Sequence, residues 1–169
     1  MDEKKCAIVI PARMNSTRLP NKPLLNIAGK PLLSWVIDVA LKVEFKSEII
    51  VATDNISIKK VAEDLGIKSF LTSKDIKNGT ERILEILDQV DSEYIINLQG
   101  DEPLVHPNDL NHLFEKIKSN DSDIVSICHE IDDLEANEPS NVKVVFDSNF
   151  YALYFSRSKI PYGAKSFFC

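Results

Sequence analysis

Glycine is scarce in this chain of 169 residues: there are five. No Gly-x-Gly-x-x-Gly can be drawn from them, which removes the dinucleotide fingerprint. Gly29-Lys30 has no glycine five positions earlier and is followed by Pro31, so it is not a phosphate-binding P-loop. Cysteine is scarce too, with three residues at no metal-like spacing. Cys6 and Cys128 fall in expected strands and Cys169 is the last residue, a pattern that predicts a reducing cytosol and no disulfide framework. No apolar run approaches the length of a transmembrane helix, so no membrane association is expected. The charged start, Met-Asp-Glu-Lys-Lys-Cys, leads straight into a strand, so no secretory signal is expected either. A cationic excess is also missing: 20 Lys and Arg stand against 26 Asp and Glu, for a net charge of −6. Such a chain is a poor general partner for nucleic acid. No Ser-His-Asp set stands out. His106, His112 and His129 fall in a loop, a helix and a strand end, where surface or capping roles suit them.

What is present is an ordinary globular composition, 44% hydrophobic and 27% charged, at a length that predicts one domain, 1–169, with a proper core. The stretch at residues 8–22 organises it. Residues 7–10 are apolar and rich in β-branched side chains, which reads as a strand buried on both faces and ended by Pro11. Between Pro11 and Pro31 the charges have one sign: Arg13, Arg18, Lys22 and Lys30, with no Asp or Glu. That segment carries +4 and leaves −10 for the remainder. A cationic loop at the carboxyl end of a buried strand, in an acidic protein, is where an α/β fold holds an anionic ligand. Ala12, Ser16 and Thr17 alternate with the cations and leave room for backbone N–H groups to approach phosphate oxygens. Pro20 and Pro23 bracket Lys22 and restrict its backbone. A plain solvated basic loop is the alternative reading of the same residues.

Along the chain, 26–30 reads as a short extended piece and a turn, and Pro31 suits the first turn of a helix reaching about residue 43. Trp35 falls near the inward face of that helix and is expected in the core. Strands follow at 48–53, 67–71, 93–98 and 123–128, alternating with helices at 56–65, 78–90 and 107–119. Gly66 marks a helix C-terminus. Ile83, Ile86, Leu87 and Val90 are expected to point inward. The acidic stretch 130–138 reads as a solvated connection. Residues 141–146 and 150–155 read as two strands of a hairpin joined at Asp147-Ser148-Asn149. The alternation predicts an α/β fold with a mostly parallel sheet and helices on both faces, and a late antiparallel hairpin.

In such folds the loops at the carboxyl strand ends share one rim. Here that rim offers Arg13, Arg18 and Lys22, then Asp54, then residues 78–82, then Gln99 and Asp101. Cations for phosphates and a carboxylate for a divalent metal are the parts that phosphoryl or nucleotidyl transfer needs. A solvated turn is the alternative for Asp101 and Glu102, but the strand before them, Tyr94-Ile95-Ile96-Asn97-Leu98, is apolar and favours the functional reading.

Seven pieces identify a family: Ile10-Pro11-Ala12-Arg13; Ser16-Thr17-Arg18-Leu19-Pro20 with Lys22-Pro23; Gly29-Lys30-Pro31; Val51-Ala52-Thr53-Asp54; Gly79-Thr80-Glu81-Arg82; Gln99-Gly100-Asp101-Glu102-Pro103; and Tyr151-Ala152-Leu153-Tyr154-Phe155-Ser156-Arg157. In order and spacing, over nearly the whole chain, they resemble the 3-deoxy-manno-octulosonate cytidylyltransferases. The first alone would indicate only a sugar nucleotidyltransferase; the last two carry the specificity. The resemblance implies a Rossmann-like nucleotide-diphospho-sugar transferase fold and a cytoplasmic enzyme of lipopolysaccharide biosynthesis. It implies magnesium-dependent transfer of CMP from CTP to the acidic eight-carbon sugar Kdo, releasing pyrophosphate, and a homodimer for the full-length form. It further implies that Arg13 and Lys22 contact the triphosphate, with Lys22 acting on the transition state, and that Ala12 and Ser16 belong to the nucleotide site. Asn78, Gly79 and Arg82 would lie near the base and the sugar, Asp101 would hold magnesium, and Gln99 and Arg157 would contact Kdo.

Two departures stand out. Family members usually have Ser where Asn78 stands, and Asn retains the ability to cap the following helix. They also continue well beyond Phe167-Phe168-Cys169, so a C-terminally shortened form is expected. Two alternatives follow: a cytidylyltransferase for another acidic sugar, such as a sialic acid or 8-amino-Kdo, or a CTP-binding fragment without turnover.

Overall fold

The computed structural model describes residues 5–14, 19–45, 47–119, 122–163 and 166–168. Its contacts divide the chain into two compact units, Met1–Asp123 and Ile124–Cys169.

The first unit is built on β1 (Cys6–Ala12), all seven residues of which are buried. Parallel strands flank it on both sides: β4 (Ser47–Thr53) pairs along its whole length and β6 (Tyr94–Asn97) along Cys6 to Val9. β5 (Lys68–Leu71) adds to β4, giving the order β5-β4-β1-β6. A small hairpin, β2 (Asn26–Ile27) and β3 (Lys30–Pro31), precedes the first helix. Its two-residue turn places Ala28 and Gly29 at positive φ, and the Asn26 side chain accepts from the Gly29 N–H at 2.9 Å.

Helices cover both faces of the sheet, as the alternation predicts. On one face α1 (Leu32–Ala40), α2 (Ile56–Asp64) and α4 (Pro107–Lys118) bury Leu33, Val36, Ile37, Ile58, Leu110 and Phe114 against Ile8, Ile10, Val51 and Ile96. On the other, α3 (Gly79–Glu85) and the turn after it bury Ile83 and Ile86 against Ala7, Val9, Ile50 and Ala52. Sequence sets the helix ends: Asn55 and Asn78 cap α2 and α3, and His106 accepts from the Asn108 N–H at the start of α4.

Several expectations need correction. Pro11 does not end the first strand; β1 runs on through Ala12, paired to Thr53. In a strand the N and O of one residue face the same side. The Pro11 carbonyl accepts from the Gly100 N–H at 3.3 Å, so the N–H that proline lacks would face the side where the ladder to β6 has already stopped. Trp35 is only half-buried: its indole donates to the Ile27 carbonyl at 2.8 Å and its ring lies 3.8 Å from the Lys30 ammonium, so it latches the small hairpin. Leu87 points outward, because α3 ends at Glu85 and a short 3-10 turn re-phases the chain. Residues 123–128 form no strand, and Ile124 is 85% exposed. Apolar β-branched residues make a strand only where a sheet edge receives them.

The second unit is an antiparallel sheet in the order β7-β10-β8-β9, formed by β7 (His129–Ile131), β8 (Lys143–Phe146), β9 (Ala152–Ser156) and β10 (Ser166–Phe168). β8 and β9 are the expected late hairpin. The acidic stretch is not a plain connection: it holds β7 and a short helix, α5 (Asp133–Asn137), with Asp132 and Glu135 closing a capping box. Lys143 is fully buried, and its ammonium donates to the carbonyls of Glu138, Asn141 and Arg157 at 3.0, 2.8 and 2.5 Å. No helix among the described residues is long and apolar enough to cross a membrane.

Cys6 tests the burial of β1. Burial pushes its thiol up to about 12, against an opposing hydrogen bond to the Ile96 backbone. Because the thiolate is the reactive form, iodoacetamide at about pH 8 should label exposed Cys128 and spare Cys6 until denaturant is added, as read by peptide mass mapping. Equal labelling rates in the native protein would contradict a fully buried β1.

Candidate active site

The carboxyl end of β1, the loop after β6 and the start of α3 open onto a cavity of about 500 Å³. Its walls bring together eight of the residues singled out above: Ala12, Arg13, Lys22, Asn78, Gly79, Arg82, Gln99 and Asp101. Ser16 and Arg18 lie outside the described residues. Arg157 belongs to the second unit, where its guanidinium donates to the carbonyls of Pro139 and Ser140 at 3.0 and 3.3 Å.

The positions follow from local structure. Arg13 leaves β1 directly, exposed, and donates to the Lys77 carbonyl at 3.1 Å. Lys22 opens a 3-10 turn fixed by buried Pro23, and Asn21 before it takes the left-handed conformation. The Lys22 ammonium meets the Asp101 carboxylate at 2.5 Å, with both side chains about a third to a half exposed. Asn78 caps α3, accepting from the Glu81 N–H at 2.9 Å and donating to the Glu81 carboxylate at 2.8 Å. Gln99 donates to the Asn97 side chain at 2.8 Å.

Two glycines let these loops close up. A Cβ on Gly79 would lie 3.0 Å from the Pro11 ring and 3.3 Å from the Gln99 amide. A Cβ on Gly100 would lie 2.9 Å from the Pro11 carbonyl oxygen and 3.2 Å from the Ala12 Cβ. The loop after β6 therefore sits against the end of β1 with no room for a side chain.

Arg82, in the cavity wall, belongs to a buried charge pair that the sequence did not reveal as one. Asp54, listed by its position among the rim groups, is 7% exposed in its side chain and stands 3.6 Å from Arg82, whose side chain is 2% exposed. Asp54 also accepts the Met14 N–H at 3.0 Å. Arg82 donates through Nη1 to the Thr72 hydroxyl and, at 3.4 Å, to the Ser73 carbonyl. Burial lowers the pKa of the guanidinium, while Asp54 and then Glu85 oppose that shift. Lys77, whose carbonyl anchors Arg13, was also missed. Its only sequence signal was its place beside Asn78.

The donor chemistry was tested for a divalent cation. Asp101 and its neighbour Glu102 supply hard carboxylate oxygens, and the cavity wall holds no His or Cys, which suits magnesium better than zinc. Desolvation and then the Asp101 charge raise the pKa of Glu102, with Lys22 opposing. Among the described residues no group of three or more His, Cys, Asp or Glu could hold a metal ion by itself. Asp101 is the lining carboxylate that would hold such a cation.

Gly100→Ala should destabilise the protein by about 1–3 kcal/mol in urea unfolding, since the added methyl meets backbone and not a flexible side-chain end. An unchanged midpoint would contradict the tight approach to Pro11.

The cytidylyltransferase family model matches residues 7–168. A 3-deoxy-manno-octulosonate cytidylyltransferase from Escherichia coli is 44% identical over 159 residues, covering 94% of this chain and 65% of its own length. One from Francisella tularensis subsp. novicida (strain U112) is 46% identical over 160 residues, covering 92% and 64%. Among solved structures, CMP:2-keto-3-deoxy-manno-octonic acid synthetase complexed with CTP aligns with a TM-score of 0.90 at 42% identity, over 98% of this chain and 71% of that one. The likeness bears out the motif-based resemblance and the mostly parallel nucleotidyltransferase fold with its late antiparallel hairpin. The chain spans about 65% of the length of the curated relatives it matches.

Proposed function

The chain belongs to the cytidylyltransferase family, and on that premise we propose that it takes part in transferring CMP from CTP to the anomeric hydroxyl of Kdo, giving CMP-Kdo and pyrophosphate for lipopolysaccharide biosynthesis. The observation that carries the reading is the cavity itself: eight residues chosen from sequence, drawn from four separate stretches of chain, line one volume at the carboxyl end of a parallel sheet. The family match runs across both units, which supports taking them as one nucleotidyltransferase domain. The substrates are CTP and an acidic eight-carbon sugar, the location is the cytoplasm, and the full-length form is a homodimer.

In this mechanism no protein nucleophile is needed. The sugar hydroxyl oxygen bonds to the α-phosphorus as the bond from that phosphorus to the bridging oxygen of the β-phosphate breaks, and the hydroxyl proton is released. Arg13 and Lys22 hold the triphosphate, and Lys22 stabilises the charge that builds on the departing pyrophosphate. The backbone at Ala12 belongs to that wall, and the family resemblance adds Ser16 to the nucleotide-binding residues. Asn78, Gly79 and Arg82 frame the base and ribose, and Gln99 contacts the sugar; Arg157, in the second unit, is by the family resemblance a sugar-binding residue, with the planar fork that suits a carboxylate. Asp101 would hold magnesium, which would supply positive charge against the triphosphate. Before substrate arrives Lys22 and Asp101 satisfy each other. A partly exposed pair of this kind is worth only about 0–1 kcal/mol, so it yields readily to a phosphate on one side and a cation on the other.

The test is pyrophosphate release with CTP, magnesium and Kdo, run beside a CTP-binding titration of the same sample. Release that disappears in a folded Asp101→Asn variant is the expected result. Full activity of that variant would remove Asp101 from the metal role, and CTP binding without release in the parent chain would leave a nucleotide-binding part alone. Replacing Lys22 by Ala should lower kcat more than CTP affinity, because its interaction strengthens as charge develops. A pure loss of affinity would assign Lys22 to ground-state binding.

A further inference from the structure

The Asp54 carboxylate joins two parts of the cavity wall that are far apart in sequence. One oxygen accepts the backbone N–H of Met14, the residue after Arg13, at 3.0 Å. The other stands 3.6 Å from Nη2 of Arg82, which lines the cavity from α3. At that distance the two charges attract, but no hydrogen bond forms. Nη1 of Arg82 is already engaged by Thr72 and Ser73. Nη2 is the only buried side-chain nitrogen or oxygen among the described residues with no hydrogen-bond partner. A buried N–H of a charged group left without an acceptor is costly. Here the charge is offset by Asp54 while the buried proton has no acceptor, on a residue that lines a cavity sized for a ligand.

Resting on the nucleotide-site reading above, we propose that Asp54 is a positioning residue: it fixes the start of the basic loop through Met14 and holds Arg82 in the wall that receives the nucleoside part of the ligand. Asp54 does not itself touch the ligand in this scheme. Its two contacts separate its two effects. The Met14 contact needs only an acceptor oxygen and governs the phosphate-binding loop. The Arg82 contact needs the negative charge and governs the nucleoside side.

Asp54→Asn separates these, because the amide oxygen can still accept from Met14 while the charge is gone. The experiment measures the affinity of the wild-type chain and of folded Asp54→Asn for CTP and for inorganic triphosphate by calorimetry, with binding stoichiometry reporting the competent fraction. The expected result is CTP binding weakened about tenfold and triphosphate binding changed by less than about twofold, as expected for loss of one charge-assisted contact on the nucleoside side. Asp54→Ala, which removes both contacts, should weaken both ligands. A merely structural role would lower the competent fraction for the two ligands together and leave their affinity ratio unchanged; that result overturns the proposal, as does wild-type CTP affinity in Asp54→Asn. If Asp54→Asn does not fold, Asp54→Glu decides: the longer arm keeps the charge but shifts it, so about tenfold weaker CTP binding supports positioning and wild-type affinity overturns it. A wild-type chain that binds no CTP at all would overturn the nucleotide reading itself, and this inference with it.

Discussion

Everything the site needs depends on β1 being paired on both sides. A central parallel strand has its backbone groups committed to two neighbours and its side chains to two apolar layers, so its direction cannot drift. β1 meets these conditions along Cys6 to Val9, with β4 continuing the ladder through Ala12. The chain therefore leaves the sheet at a fixed point, and Arg13 emerges at the rim. The Pro11 carbonyl then does a second job by receiving the Gly100 N–H, which draws the loop carrying Asp101 against the same point. Gly100 is glycine because a Cβ there would meet that carbonyl.

Charge is layered around this frame. The exposed Lys22–Asp101 pair is an interaction that water and ions can replace, and it sits where a charged ligand would arrive. The Asp54–Arg82 pair is almost fully buried. Breaking a buried pair by removing one partner typically costs about 3–5 kcal/mol, so this pair is fixed where the Lys22–Asp101 pair is exchangeable. An acidic chain can thus present a locally cationic wall without a long basic tail.

Legibility in the sequence followed the strength of the local signal. The buried first strand, the helices at 32–40, 56–64 and 107–118, and the late hairpin were readable because apolar period and end signals agreed. Arg13, Gln99 and Asp101 were readable because they closely follow apolar strands, where α/β folds place their ligands, and the roles of Lys22, Asn78, Gly79 and Arg82 came from the family resemblance. What failed needed information from elsewhere in the chain. Residues 124–128 had strand propensity but no sheet edge to join. The α5 helix hid in an acidic run, though Asp132 and Glu135 stood at capping-box spacing. Trp35 was read as core from helical phase alone, and its partner, the Ile27 carbonyl, lies in a hairpin before the helix. Asp54 looked like a rim carboxylate open to ligand; only the fold shows it buried against Arg82. That Pro11 could stay in the strand depended on which neighbour its missing N–H would have faced.

The central claim is that the loops after β1 and β6 and the start of α3 form one nucleotide site. A ¹⁵N-correlation NMR titration of the chain with CTP tests it most directly. The account predicts saturable shifts concentrated at the amides of Ala12, Arg13, Gly79, Arg82, Gly100 and Asp101, with those of β9 unmoved. Saturable shifts that leave these amides unmoved and gather on another surface would contradict it.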